Sequence, residues 1–144
     1  MSTTVTITMQ ERRYFERIHQ VVEQVPRGQV STYGDIALIV GGECDARIVG
    51  LAMGDLGPRS AQVPWQRIIN RSGGISTMEA VGQRERLRAE GVGFDDKGKV
   101  LLERFRWAGP TPEWAAQHGF TPLPARSASK DSKEDEDKSQ LRLF

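Results

Sequence analysis

Apolar residues recur at helical spacing in the first third of the chain. Across residues 11–25 they fall on one face of a helix, and the Pro-Arg-Gly run at 26–28 ends it. Thr32, followed three residues later by Asp35, has the spacing of a capping box, with Thr32 as the N-cap. A short apolar helix is predicted to follow and to end at Gly41.

A second short helix is predicted to start near Asp45 and to run through Met53. Two short helices joined by a turn that contains glycine form a helix-turn-helix. The commonest use of this motif is to place its second helix in a groove of DNA. On pattern alone this remains a hypothesis, because helices joined by glycine turns are common.

The pattern changes after Pro58. Residues 64–76 predict a turn, a short strand, a Gly-Gly turn and a returning strand. A third helix is predicted from Gln83 to Ala89. Residues 94–107 predict a small turn and a strand that packs Val100, Leu102 and Phe105 inward. The expected fold is mainly α with a small β part, a winged helix-turn-helix-like domain over residues 1–107.

The last part of the chain has a different composition. Four prolines punctuate residues 108–124, which we expect to be an irregular extension. Residues 125–144 are rich in serine and in charges of both signs. Such a segment buries too little apolar surface to offset the entropy of ordering it, so a disordered tail is predicted.

Composition excludes several classes. The 144 residues suit one domain, and the formal net charge of +1 argues neither for nor against nucleic acid. One cysteine, Cys44, and two distant histidines exclude an internal disulfide and make a structural metal or a cofactor unexpected. The chain has no apolar run of the roughly 18 residues that a membrane span needs. It also has no export signal, so we expect a cytoplasmic protein, or a nuclear one in a eukaryote.

Several motifs occur in the order found in one family. Residues 25–37 read Val-Pro-Arg-Gly-Gln-Val-Ser-Thr-Tyr-Gly-Asp-Ile-Ala, and residues 46–53 read Ala-Arg-Ile-Val-Gly-Leu-Ala-Met. They are followed by Pro-Trp-Gln-Arg-Ile-Ile-Asn at 64–70 and by Ala-Glu-Gly-Val at 89–92. Over about residues 10–107 the chain resembles the C-terminal domain of the O6-alkylguanine-DNA alkyltransferases. The resemblance implies minor-groove docking of the recognition helix and flipping of a damaged guanine into a pocket.

The resemblance also bears on the chemistry. That family transfers the alkyl group to a cysteine in a Pro-Cys-His-Arg motif, and here Trp65 and Gln66 match its cysteine and histidine. An indole is no substitute for a thiolate, and an amide is no base near neutral pH. Tryptophan at this position marks the alkyltransferase-like proteins, so the chain is expected to have no catalytic residue. Cys44 lies outside this motif, and a free cysteine is usually an inert filler.

The DNA-binding residues that the resemblance implies lie on or beside the helix-turn-helix. Arg47 matches the arginine that enters the base stack where a nucleotide has left it; the alternative is an exposed arginine that contacts phosphate. Ala46 and Gly50 are small, as a close approach to a narrow groove requires, although small residues also suit plain helix packing. Tyr33 matches a tyrosine near the extruded nucleotide; the alternative is a half-buried tyrosine stacked in the core.

The lesion pocket implied by the resemblance comprises Tyr33, Trp65, Arg67, Ser72 and Met78. Trp65 would offer apolar surface to the alkyl group, unless it only fills the core. Arg67 lies in the same turn as Trp65 and would line the pocket; the alternative is that it only braces the turn by bonding to backbone carbonyls. Glu90 matches a glutamate that supports the histidine in transferring relatives, and here a structural hydrogen bond or capping role is expected.

The resemblance implies a non-enzymatic sensor that binds O6-alkylguanine in double-stranded DNA. On the resemblance alone, it would mark the lesion for nucleotide excision repair. A monomer without cofactor is expected to suffice. A sequence-specific winged-helix transcription regulator is the main alternative, but residues 45–53 offer one arginine among apolar or small groups, which is a poor code for the major groove. An active alkyltransferase is the third reading, and the missing cysteine opposes it.

Overall fold

A computed structural model describes residues 6–75 and 80–124 of the chain. The helices that it assigns in this part are α1 (Met9–Arg12), α2 (Phe15–Val22), α3 (Tyr33–Val40), α4 (Ala46–Gly54), α5 (Ala80–Ala89), α6 (Leu102–Phe105) and α7 (Pro112–His118). Two short strands, β1 (Ser31–Thr32) and β2 (Ile68–Ile69), pair with each other, and 3-10 turns cover Gly57–Ala61 and Trp65–Arg67. The predicted fold class, mainly α with a small β part, is confirmed. Among the described residues no helix is long and apolar enough to span a membrane.

The predicted helix over residues 11–25 is two helices. Its first part, α1, starts earlier because Thr8 and Glu11 form a capping box in which each side chain bonds to the other's backbone N–H. The helical hydrogen bonding is interrupted at Arg13, and α2 restarts after Tyr14. The prediction of one continuous helix was therefore wrong in where the helix starts and in its lack of a break. The predicted apolar face is nevertheless buried in α2.

The helix-turn-helix forms as predicted. The Thr32 side chain accepts a hydrogen bond from the Asp35 backbone N–H at 3.0 Å, and α3 ends at Gly41, whose φ of 81° favours glycine. Asp45 is the N-cap of α4 and accepts from the Ile48 N–H at 2.9 Å.

The Asp35 side chain, predicted to complete the capping box on α3, has a distant partner. Its carboxylate accepts two bonds from Arg106, at 3.0 and 3.1 Å. This ion pair ties the start of α3 to the segment that follows α6. The return bond from Asp35 to the Thr32 backbone stays a prediction.

The first strand of the predicted hairpin within 64–76 has a distant partner that the sequence did not indicate. The strand of residues 68–69 pairs in parallel with β1, in the register Ser31 to Ile68 and Thr32 to Ile69. After it the Asn70 side-chain oxygen accepts from the backbone of Ser72 and Gly74, which closes a tight turn. The part of the predicted return strand at residue 76 lies outside the described residues.

Residues 94–107 form a bridge and a helical turn rather than a strand. Phe94 pairs with Val100 in an antiparallel bridge, and the chain then enters α6. Of the three side chains predicted to point inward, Val100 is buried, whereas Leu102 and Phe105 are partly buried against the same cluster.

The prediction of an irregular extension over residues 108–124 is wrong in its centre. The Thr111 side chain caps α7, and Gly119 ends that helix in the left-handed conformation. Ala115, Phe120 and Leu123 are buried in the main core, so this segment packs onto the preceding elements. The division of the chain after residue 107 stays a prediction, and this packing argues against it. The predicted tail, residues 125–144, lies outside the described residues.

Two apolar clusters hold the elements in place. The larger one joins α2, α3, α4 and α7; its members with no exposure are Ile18, Val21, Val22, Ile36, Ile39, Val49, Ala52, Ile68 and Ala115. The smaller one lies between α5 and the 92–105 segment and contains Val30, Ile69, Leu87, Val92 and Val100. Strand β2 contributes one side chain to each cluster and so joins the two halves of the fold.

His19 makes the stability of the fold sensitive to mild acid. Burial lowers the pKa of His19 below its ordinary value of 6.5; the positive charge of Arg59 acts in the same direction, and Glu16 opposes it. Because the pKa is lower in the folded state, the unfolded chain binds the proton more readily. The stability associated with neutral His19 is therefore present above pH 6.5 and is lost as the pH falls through the folded-state pKa. Thermal melts should show a decreasing melting temperature from pH 7 to pH 5.

The matched variants are His19→Leu and His118→Gln. The first removes the buried imidazole and should flatten the profile between pH 7 and pH 5, whereas the second changes an exposed histidine of α7 and should leave the slope intact. An unchanged slope in His19→Leu would contradict this assignment. Carboxyl groups with lowered pKa values, such as that of Glu90, start from an ordinary pKa of 4.5, so they change stability at a lower pH than His19 does.

Candidate nucleic-acid interface

An open cleft of about 1250 Å³ lies beside the helix-turn-helix. It is bounded by the C-terminal part of α4, by the segment of residues 56–67, by the start of α3 and by one residue of α5. Its lining residues include Glu23, Tyr33, Gly50, Met53, Gly54, Val63, Pro64, Trp65, Gln66, Arg67 and Arg86. Typical small-molecule pockets measure roughly 300–1000 Å³, so this cleft has room for a nucleobase that carries a substituent.

Helix α4 has one face buried in the core and one face that is not buried. Ile48, Val49 and Ala52 are buried in the core. Arg47 and Gly50 are one turn apart and lie on a face that is not buried, and Gly50 also lines the cleft. A Cβ atom built at Gly50 would meet nothing within 4 Å. Packing within the protein therefore does not require glycine at this position.

Arg47 projects from the first turn of α4 and is 63% exposed. Its guanidinium forms an ion pair with Glu11, the residue that completes the capping box of α1. Hydrogen bonds from Arg47 and from the Thr8 backbone lower the pKa of Glu11, so the pair is ionised at neutral pH. Ala46 beside it is exposed. Neither residue lines the cleft, so the structure places them on the face next to it.

Tyr33 is the first residue of α3 and lines the cleft while packing partly against the core. Burial raises the pKa of Tyr33, so its hydroxyl stays protonated and can donate a hydrogen bond. The position at a helix start beside an open cleft fits a contact to an anionic oxygen. The alternative of a half-buried tyrosine packed against the core also fits this side chain, so the role of Tyr33 at the DNA stays a prediction.

Trp65 begins the 3-10 turn on one wall of the cleft. Its side chain is half-buried: one part packs against the main core and another faces the cleft. The guanidinium carbon of Arg86 lies 5.6 Å from the centre of the indole ring, a cation–π distance. Arg86 is a cleft residue that was not predicted from the sequence. Its place in α5, 21 positions beyond Trp65, gave no local signal of this contact.

Arg67 and Glu90 form an ion pair that braces the Trp65 turn. Arg67 donates to the two carboxylate oxygens of Glu90 at 3.0 and 3.1 Å and to the Val25 carbonyl at 2.9 Å. The Gln66 side-chain amide also donates to Glu90, at 2.9 Å. Burial opposes ionisation of Glu90, but the bonds from Arg67 and Gln66 outweigh it and hold the pKa of Glu90 below its ordinary value. The structural roles expected for Glu90 and, as an alternative, for Arg67 therefore describe the observed contacts.

The backbone of the same turn is held from α5. The buried Gln83 amide donates to the carbonyls of Gln66 at 3.0 Å and of Ile68 at 2.9 Å. The side chains that follow Trp65 are thus fixed by two elements far along the chain. A rigid turn of this kind can hold the indole in one orientation.

Of the residues predicted for the pocket, Ser72 is not among the described residues that line the cleft. Ser72 lies in the turn after β2, where its hydroxyl donates to Asn70 at 2.7 Å, and it lines a separate small hollow with Val100 and Arg104. The assignment of Ser72 to the lesion pocket, which came from the resemblance, stays a prediction that this position does not support. Met78 lies outside the described residues.

Cys44 is unsuited to nucleophilic chemistry. Burial and the negative charge of Asp45 raise the pKa of the Cys44 thiol to about 11, so almost none of it is thiolate at neutral pH. The thiol precedes α4 and does not line the cleft. Within residues 6–75 and 80–124, no three His, Cys, Asp or Glu side chains cluster in a way that could hold a metal ion.

These features define a class of protein: a helix-turn-helix domain in which the second helix forms one wall of an open, aromatic-lined cleft. Comparison with known families gives the same class. Residues 13–92 match the model of the 6-O-methylguanine DNA methyltransferase, DNA binding domain.

Individual relatives make the assignment more specific. The alkyltransferase-like protein 1 of Schizosaccharomyces pombe is 41% identical over 107 residues, which cover 69% of this chain and 98% of that protein. A DNA base-flipping protein of Vibrio parahaemolyticus is 39% identical over 97 residues, 66% of this chain and 96% of the relative. The crystal structure of S. pombe Atl1 in complex with damaged DNA containing O6-carboxymethylguanine has a TM-score of 0.58 and 36% identity, and covers 67% of this chain and 95% of that chain.

The chain therefore belongs to the 6-O-methylguanine DNA methyltransferase family by its DNA-binding domain, and within that family to the alkyltransferase-like proteins.

Proposed function

We propose that this protein is a non-enzymatic sensor of O6-alkylguanine in double-stranded DNA. It docks α4 in the minor groove, swings the damaged guanine out of the helix and holds it in the cleft against Trp65. The observation that carries the proposal is Trp65 itself, an indole on the wall of an open cleft. By the resemblance of the 64–70 motif, it takes the place of the family's cysteine. The relatives named for base flipping and for a complex with damaged DNA support the same function.

Besides Trp65, four residues have roles in this proposal. Arg47 leaves Glu11 and fills the gap in the base stack, while Ala46 and Gly50 allow α4 to approach the groove closely. Tyr33 contacts the phosphate or the base edge of the extruded nucleotide. Unstacking a base costs a few kcal/mol and costs least where pairing is already weakened, so selectivity starts with the DNA.

The second part of the proposal concerns the fate of the complex. A reader without a nucleophile cannot repair the base, so the bound site has to be passed on, and we propose nucleotide excision repair as the recipient. We also propose that the protein acts as a monomer in the compartment that holds the DNA. In support of a monomer, the large apolar side chains most exposed in the described part, Met9, Leu38 and Val81, lie on three different helices.

Fluorescence anisotropy with matched duplexes tests the proposed function. Duplexes with one O6-methylguanine in several random contexts should bind more tightly than the same duplexes with guanine, whatever the flanking sequence. Equal affinity for damaged and undamaged duplexes would overturn the proposal. Dependence on the flanking sequence would favour a transcription regulator, and movement of a labelled methyl group to protein would favour an alkyltransferase.

Gly50→Leu should separate DNA binding from folding. The new side chain projects into open space, so the fold should tolerate it, and leaving glycine in a helix interior removes a penalty of about 0.5–1 kcal/mol. At the DNA surface the same side chain would overpack a close contact, which costs about 1–3 kcal/mol. We expect a melting temperature no lower than that of the wild type and a loss of roughly tenfold or more in affinity for both damaged and undamaged duplex. Wild-type affinity in Gly50→Leu would place the DNA elsewhere.

Trp65→Cys should not restore alkyl transfer. The neighbouring Gln66 amide donates to Glu90 and offers no base to a thiol. Incubation with DNA that carries a tritiated methyl group should leave the variant unlabelled. The matched comparison is Trp65→Cys with Gln66→His, which puts an imidazole beside Glu90. Labelling of the single variant as fast as the double variant would show that activation by a neighbouring base is unnecessary here.

A further inference from the structure

Arg86 is an arginine of the cleft to which the proposed binding mode gives no role. It lies in the last turn of α5, is exposed, lines the cleft and stands over the Trp65 ring at 5.6 Å. Contact with the indole limits the freedom of an otherwise mobile side chain, so the guanidinium is held close to the aromatic wall.

Two arginines that line the cleft, Arg67 and Arg86, differ in whether their charge is already paired within the protein. The guanidinium of Arg67 is already engaged by the two oxygens of Glu90 and by a backbone carbonyl. Within residues 6–75 and 80–124, no Asp or Glu forms a salt bridge with Arg86. The acidic residue that lines the cleft is Glu23, which follows α2. Arg86 is thus the cleft arginine whose charge remains available to a ligand.

The geometry of α5 directs Arg86 away from its neighbouring arginines. Arg84 and Arg88 are four positions apart and therefore share a face, and both stand over Phe94, at 5.9 and 5.2 Å. Arg86 lies two positions from each and so points to the opposite side of the helix, toward Trp65. One helix therefore offers a cleft arginine and a comparable arginine outside the cleft.

We propose that Arg86 binds an anionic group carried by the O6 substituent of the flipped guanine. The inference rests on the proposed function, in which Trp65 contacts the alkyl group. A carboxylate at the end of that group would meet a guanidinium whose planar fork can donate two hydrogen bonds to it. The cleft would then favour a charged substituent, such as carboxymethyl, over a neutral one of similar size.

A DNA phosphate is the other anion that could meet Arg86, and the two sources predict different results. A phosphate is present in every duplex, so losing that contact would weaken binding to all duplexes alike and would lower the slope of log affinity against log salt by about 0.9. A carboxylate on the base is present only in the lesion that carries it. Its loss would weaken one complex and leave the others unchanged.

The experiment compares Arg86→Gln with Arg88→Gln in the full chain. Each is titrated with four duplexes that differ at one base: guanine, O6-methylguanine, O6-carboxymethylguanine and the neutral isostere O6-carbamoylmethylguanine. For Arg86→Gln we expect affinity for the carboxymethyl duplex to fall roughly tenfold, the size of a hydrogen-bonded charge contact, and the other affinities to change less than about twofold. Arg88→Gln should bind all four duplexes like the wild type, and Arg86→Lys, which keeps the charge but lacks the fork, should retain only part of the preference for carboxymethyl.

Each other outcome has a distinct meaning. A uniform loss over all four duplexes in Arg86→Gln would assign Arg86 to a phosphate and overturn the inference. Equal binding of the carboxymethyl and carbamoylmethyl duplexes by the wild type would also overturn it, while a preference for O6-methylguanine over guanine would leave the proposed function standing. If the wild type prefers no damaged duplex, the proposed function itself fails.

Discussion

Arg47→Ala is expected to abolish most of the discrimination between damaged and undamaged DNA. If the side chain fills the space left by the flipped guanine, its removal takes away a contribution of a few kcal/mol that exists only in the flipped complex. Affinity for an O6-methylguanine duplex should then fall roughly tenfold to a hundredfold, whereas affinity for undamaged duplex should fall only a few fold. Anisotropy titrations measure both, and a fluorescent base analogue placed beside the lesion reports whether the base is still extruded.

Two further variants identify the cause. Arg104→Ala removes another exposed arginine, which lies on α6 and does not line the cleft, and should change neither affinity much. Glu11→Gln keeps a residue that a capping box accepts but weakens the ion pair that holds Arg47 in the free protein. It should therefore strengthen binding to both duplexes. Equal losses for damaged and undamaged DNA in Arg47→Ala would make Arg47 a phosphate contact only.

The local parts of the fold could be predicted from the sequence because their signals are local. Thr32 and Asp45 cap the two helices of the helix-turn-helix, and each accepts a bond from the backbone three residues ahead. A glycine with positive φ ends α3. These contacts lie within one helical turn, where residue type and spacing carry most of the information.

The sequence did not indicate partners that lie far along the chain. Strand β2 pairs with β1, 37 positions earlier, and no periodicity reveals such a parallel partner. The same holds for Asp35, whose carboxylate is taken by Arg106. Short apolar segments such as residues 112–123 are equally ambiguous, because burial against a distant core decides whether they fold.

The residues of the candidate site also fall into two groups, those that a local motif identifies and those that only the packing of distant elements brings there. The resemblance pointed to Trp65 because a motif of consecutive residues identifies it, and the structure does place it on a cleft. Arg86 and Gln83 come from α5 and reach the site only through the packing of that helix. Ser72 was assigned to the site by the resemblance alone, and in the structure it lines a separate small hollow.

Glu90→Gln is expected to cost about 3 kcal/mol of folding stability, the lower end of the range for removing one partner of a buried ion pair. The Glu90 side chain is 5% exposed and that of Arg67 is 16% exposed, so the arginine would lose its counter-charge away from solvent. For a chain of this size the melting temperature should fall by on the order of 10 °C. The ionic contribution has a defined pH range. The pKa of Glu90 is lowered from 4.5 in the folded state. The stability that the ion pair contributes is therefore present above about pH 4.5, and it is lost as the pH falls through the folded-state pKa of Glu90.

The same variant tests the link between the ion pair and the lesion site. Glu90 receives bonds from both residues that follow Trp65 in the 3-10 turn, so a loosened turn would no longer hold the indole at the cleft. At a temperature where the variant is fully folded, affinity for O6-methylguanine duplex should fall more than affinity for undamaged duplex. The matched control is Glu103→Gln, an exposed glutamate on α6, which should leave stability and both affinities unchanged. A Glu90→Gln protein that melts like the wild type would mean that Gln66, Val25 and Gln83 hold the turn without the ion pair. Lower stability with unchanged lesion preference would show that the position of the indole does not depend on Glu90.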